Sequence, residues 1–95
     1  MNIHAVKVKS EGKYKISLKY SDKTSGTIDL SHLAGKGVFK EWETNDLFDK
    51  VHLDPETNAI KWNNTLEIDS FSLYLKIKGM TLEDWLSKNK VQHSV

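Results

Sequence analysis

From residue 13 to residue 20 the chain reads KYKISLKY, and every second residue is apolar. Tyr14, Ile16, Leu18 and Tyr20 alternate with Lys13, Lys15, Ser17 and Lys19. A period of two puts the two sets on opposite faces of a pleated strand, one buried and one carrying lysines into water. Val6 and Val8 alternate with Lys7 and Lys9 in the same way. Between these runs Ser10-Glu11-Gly12 supplies a short hairpin connection, with Gly12 free to take positive φ. Residues 21–26 (SDKTSG) read as a second turn and residues 27–30 as a third, shorter strand. The first third is therefore expected to be an antiparallel meander with one apolar and one lysine-rich face.

The period then changes. Ser31 is placed to cap one helical turn through Leu33, ended by Gly35 and Gly37. Thr44 or Asn45 is placed to cap a second short helix carrying Leu47 and Phe48, with Asp46 and Asp49 where the helix dipole favours anions. Alternation returns at Val51 and Leu53 and again at Ile60 and Trp62. Between them, residues 54–58 (DPETN) form a strong turn signal, so residues 50–62 are predicted to be a hairpin. Residues 69–78 fit two periods. Phe71, Leu73, Leu75 and Ile77 alternate as in a strand, but Asp69 suits an N-cap, Gly79 suits the C′ position, and Phe71, Tyr74 and Leu75 share a helical face. The helix is the favoured reading. A last helix follows, with Thr81 and Asp84 as a capping box and Met80 stapled to Trp85. In it Leu82, Trp85 and Leu86 form one apolar stripe.

Ninety-five residues make one small domain, expected over residues 1–90 with a frayed tail at 91–95. The expected class is α+β: a small antiparallel sheet of about five strands, short helices and a C-terminal helix. The chain has no cysteine, which removes disulfides, thiolate metal sites and cysteine nucleophiles. No apolar run approaches membrane-spanning length, and residues 1–9 lack the apolar centre of a signal peptide, so a cytoplasmic protein is expected. Charge is unevenly spread. Residues 1–40 carry eight lysines and three acids, whereas residues 41–69 carry two lysines and eight acids.

Three constellations bear on function. Lys7, Lys9, Lys13, Lys15 and Lys19 gather on one face of the first hairpin, which could track nucleic-acid phosphates. The alternative is a solvated face whose lysines discourage edge pairing. It is favoured, because Tyr14 and Tyr20 belong to the opposite face and the chain has no arginine for bidentate contacts. Glu41, Glu43, Asp46 and Asp49 make an acidic patch suited to docking a basic partner, or simply a solvated surface. Asp29 and His32, three residues apart at a strand–helix junction, could form an acid–base pair, but a turn-capping Asp beside an exposed His is the commoner meaning of that spacing. His4, His32, His52 and His93 are too scattered for a metal motif, and no cofactor is expected.

Taken in order, several segments resemble a bacterial family known as domain of unknown function 2442. The resemblance is carried by Gly26-Thr27-Ile28-Asp29-Leu30, Gly37-Val38-Phe39, Phe48-Asp49-Lys50-Val51, Ile60-Lys61-Trp62, Leu66-Glu67-Ile68-Asp69 and Leu73-Tyr74. It spans residues 3–77. Asn63 stands where the family usually has proline, and Trp42 where it tends to have leucine. The resemblance implies a small α+β fold with an antiparallel sheet. Some members are fused to or encoded beside helix-turn-helix domains, and others sit beside small partners in arrangements like toxin–antitoxin pairs. A regulatory or protein-binding role with an unidentified protein partner is the implied expectation, and nucleic-acid binding through the lysine face is the alternative.

Overall fold

The computed structural model describes residues 3–44 and 46–89. The expected tail at 91–95, His93 and the candidate cap Asn45 lie outside them. The chain is α+β, but it builds two three-stranded antiparallel sheets rather than one sheet of about five strands. The first contains β1 (Ala5–Gly12), β2 (Lys15–Tyr20) and β3 (Ser25–Asp29), in that order. The second contains β4 (His52–Leu53), β5 (Ile60–Lys61) and β6 (Glu67–Ile68). Two 3₁₀ helices, Gly37–Glu43 and Leu47–Lys50, separate the sheets, and helices α1 (Ser70–Lys78) and α2 (Leu82–Asn89) follow. The expectation of one sheet fails because strand partners are set by long-range packing, which alternation does not encode.

Within the first sheet β2 behaves as its pattern demands. Ile16, Leu18 and Tyr20 are buried, while Lys15 and Lys19 are exposed. β1 departs from its pattern. Its register against β2 slips between Ala5 and Lys7, so Ala5 takes the inward slot and Val6 is turned out, 48% exposed. One extra residue in a strand re-aims the side chain it displaces. The hairpin turn also moves: β1 runs through Gly12, and the loop is Lys13-Tyr14, with φ of 53° and 64°. Both residues are therefore left-handed, which matches the twist of a two-residue hairpin but is unusual for side chains of this size. The Tyr14 ring is held by packing on Trp42 and Phe48, with centroids 5.9 and 5.3 Å apart.

Tyr14, Phe39, Trp42, Phe48 and Trp62 form one aromatic cluster that anchors the 3₁₀ segments. The Trp62 indole N–H donates to the Phe48 carbonyl at 3.0 Å. The Trp42 N–H is buried and has no hydrogen-bond acceptor among the described residues. Tyr14, Phe39, Phe48 and Trp62 pack around the Trp42 ring, with centroids 4.8 to 5.9 Å away. The loop after β3 is a run of turns at residues 31–35, not a helical turn capped by Ser31. Asp29 supplies the cap instead, accepting from the Ser31 N–H at 2.8 Å. Before the second 3₁₀ helix stands Asp46, left-handed at φ 55° and making no side-chain cap.

Asn58 joins the two sheets. It sits at φ 64° in the β4–β5 turn, as that turn requires. Its amide takes the Ala5 N–H and returns a bond to the Ala5 carbonyl, both at 2.8 Å, and its oxygen also accepts from the Ser70 hydroxyl. The start of β1, the second sheet and the start of α1 thus meet at one side chain.

Residues 70–78 are helical. The Asp69 carboxylate accepts from the Ser72 N–H, and Gly79 closes the helix at φ 69°. The α2 capping box is also present: Asp84 accepts from the Thr81 N–H and the Thr81 hydroxyl accepts from the Asp84 N–H, each at 3.1 Å. The expected apolar stripe of α2 is not buried as a unit. Trp85 docks on Phe71 and Tyr74, but Leu82 and Leu86 stay about half exposed. One indole is enough to seat a two-turn helix, and it leaves the flanking leucines without cover.

Candidate functional site

The feature of this fold best suited to recognition is the free edge of β3. The Leu30 N–H donates to the Tyr14 carbonyl and the Tyr20 N–H to the Thr24 carbonyl, at the two ends of the β2–β3 ladder. Hydrogen-bonded pairs alternate along an antiparallel ladder. With Ile16 opposite Ile28 and Leu18 opposite Gly26, even-numbered residues of β3 bond inward to β2. The N–H and C=O groups of Ser25, Thr27 and Asp29 consequently point away from the sheet. A groove of about 470 Å³, lined by residues 25–29 together with Lys76 and Ile77 of α1, runs along this edge.

Edge strands are normally blunted by lysine, proline, a bulge or a covering element. β1, at the other edge, has such devices. It carries Lys7 and Lys9, its register slips twice, Asn58 takes the backbone groups of Ala5, and Asp49 accepts from the Ser10 hydroxyl at 2.6 Å. β3 reads SGTID, with no lysine, no proline and a regular register throughout. Gly26 lets α1 approach from the buried side, because a Cβ there would stand 2.9 Å from Cγ2 of Ile77. The turn before β3 is fixed by the Tyr74 hydroxyl donating to Asp22 at 2.7 Å, and by the Thr24 N–H donating to the same carboxylate at 2.9 Å. The edge is therefore both open and held in place. The sequence contains a signal for it: lysines punctuate β1 and β2 and stop at β3.

The lysine face also exists in part. Lys7 lies directly across from Lys19, Lys9 across from Ser17, and Ser17 across from Thr27, on the outer face of the sheet. These residues line a shallow trough together with Glu11 and Ser25. Lys15 lies one row further along, across from Asp29, whereas Lys13 belongs to the hairpin turn and not to the strand face. Tyr14 and Tyr20 turn inward, so no ring stacks beside the lysines.

The acidic residues are less uniform. Glu41, Glu43, Asp46 and Asp49 are all exposed. Asp49 is engaged by Ser10, and Glu41 accepts from the Asn63 amide at 3.4 Å. Asp29 and His32 do not form an ion pair. The Asp29 carboxylate is held below its ordinary value of 3.8 by the Ser31 hydrogen bonds first, and then by the charges of Lys15 and His32. Among the described residues no three His, Asp or Glu side chains are grouped to hold a metal ion, and no helix is long and apolar enough to cross a membrane. Comparison with protein-family models, with curated proteins and with solved structures gave no match to this chain.

Proposed function

We propose that this chain is a non-enzymatic protein-interaction module of a regulatory, antitoxin-like kind, and that it takes a strand of its partner onto the open edge of β3. The reading rests on one observation above the others: Ser25, Thr27 and Asp29 turn outward backbone groups with no backbone partner among the described residues, on a regular edge without lysine, proline or bulge. Main-chain bonds supply affinity in such a mode, and the groove beside Lys76 and Ile77 supplies selectivity. The resemblance to domain of unknown function 2442 supports the same role. Asp29, singled out with His32 as an acid–base candidate, already accepts from the Ser31 N–H as a turn cap.

The test is affinity capture from host cells with wild type, Thr27→Ser and Thr27→Pro. Proline removes an outward N–H and no ladder bond, so the fold should survive, as circular dichroism would verify. A stoichiometric partner retained by wild type and Thr27→Ser but lost with Thr27→Pro is the expected result. Equal recovery with all three proteins would overturn the reading.

A second reading has its own observation. Lys7 and Lys19 are directly opposed, an arrangement that costs stability unless an anion relieves it. Nucleic-acid binding on this face would weaken steeply with added salt and be lost on Lys7→Glu plus Lys15→Glu. No binding to duplex DNA at low salt would eliminate it.

A further inference from the structure

Resting on the reading of β3 as a recognition edge, we infer that a second copy of this chain is one of its occupants. The two copies join β3 to β3 about a two-fold axis at Thr27. In that register Thr27 faces Thr27 of the other copy, and Ser25 faces Asp29. Each of the three outward residues then exchanges both backbone bonds with its counterpart, and two three-stranded sheets become one continuous sheet.

The side chains suit the register. Threonine across from threonine is a favourable cross-strand pair, and a serine hydroxyl can donate to the facing carboxylate. Within one copy Lys15 lies across from Asp29 and Lys19 across from Ser25. Across the axis the outer row becomes Lys15, Asp29, then Ser25 and Lys19 of the second copy, with no like charges meeting across the new seam. On the inner face Gly26 would meet Ile28 of the second copy, next to the Ile77 side chain that already lies against Gly26. The same operation on β1 would bring Lys7 and Lys9 toward their own copies, and that edge is taken by Asn58 at Ala5. Charge and register therefore both select β3.

The chain contains no cysteine, so single cysteines report the pairing cleanly. Thr27→Cys should oxidise to a disulfide-linked dimer, since hydrogen-bonded antiparallel partners stand about 5.5 Å apart at Cα, within disulfide reach. Ser25→Cys should cross-link more than about tenfold slower, because its counterpart lies roughly four strand residues away, on the order of 13 Å. Ser25→Cys plus Asp29→Cys should restore rapid cross-linking. In parallel, sedimentation of wild type over a roughly hundredfold range of concentration should show mass rising from 10.9 kDa toward twice that, and Thr27→Pro should remain monomeric.

Equal rates for Ser25→Cys and Thr27→Cys, or a wild-type monomer throughout, would overturn the inference. The two proposals fail separately. A constant monomer with partner capture still lost on Thr27→Pro removes the dimer and keeps the interaction module. Register-specific cross-linking with unchanged partner capture does the reverse.

Discussion

Asn58 offers Ala5 what a neighbouring strand would: an acceptor for its N–H and a donor for its carbonyl, both at 2.8 Å. The donor half is irreplaceable by a carboxylate. Asn58→Asp should cost roughly 2–3 kcal/mol at neutral pH, because a charged oxygen would then face the Ala5 carbonyl with no proton between them. In acid the new carboxyl is protonated, can donate, and the penalty should shrink. Asn58→Gly keeps the left-handed backbone but should show a loss with no such recovery. Urea unfolding of both variants at several pH values distinguishes these outcomes. Sequence reasoning reaches the left-handed turn at this residue, because that demand is local. It does not reach the partnership, because Ala5 is 53 residues away and nothing in either neighbourhood announces the other. Tyr14 shows the same limit. Its inward direction follows from alternation, whereas its place in a left-handed turn depends on rings brought from residues 42 and 48.

Among the elements, α1 and β3 are the most tightly coupled to the candidate site. Their approach depends on the absence of a Cβ at Gly26, where Ile77 would be met at 2.9 Å. Gly26→Ala should therefore destabilise the fold by about 1–3 kcal/mol through overpacking. In an Ile77→Ala background the same substitution should cost far less, and a double-mutant cycle of thermal or urea melts measures the difference. Equal costs in the two backgrounds would place the strain elsewhere. The helix ends were legible because caps are written within a few residues, as Asp69 with Ser72 and Thr81 with Asp84 show. The division into two sheets was not, because alternation at β4 and β5 marks a hairpin without marking which strands it joins, and β6 is only a two-residue ladder. Nor was the fate of Leu82 and Leu86, since a stripe shows which face is apolar without showing what covers it.

For the whole molecule, proton linkage brackets stability on both sides. Asp22, Asp29 and Asp54 are held below 3.8, chiefly by the Tyr74 hydroxyl, the Ser31 hydrogen bonds and the Glu56 and Thr57 N–H groups respectively. A lowered carboxylate contributes stability that is full above 3.8 and lost as pH falls through its folded value. Asp22 and Asp29 are exposed and Asp54 is only part-buried, so the acid loss should be gradual and modest. Tyr20 and Tyr74 are raised above 10.0, first by burial, and then by Asp69 beside Tyr20 and the Asp22 bond on Tyr74. Their contribution is full below 10.0 and declines as pH climbs beyond it, because the unfolded chain releases the phenolic protons first. Melting temperature should thus fall as pH drops below about 4 and as it climbs beyond about 10. Tyr20→Phe should soften the alkaline fall, although it removes the bond to the Ser70 carbonyl. The candidate site was half legible at this scale: the lysine-free strand is in the sequence, but its position at an edge belongs to the assembled sheet.

The separation of the first sheet from the helix that covers it also sets a schedule. β1, β2 and β3 are complete as a sequence by residue 29, yet α1 begins at residue 70. At ribosomal speeds that gap is roughly two to eight seconds. Throughout it Tyr20 lacks the Tyr74 ring and the Ser70 carbonyl, and Gly26 lacks Ile77, so a nascent meander is most adhesive before the chain is finished. Pairing with another copy at that moment would be hard to undo, and the time of meeting, as much as affinity, would decide which partner the β3 edge receives.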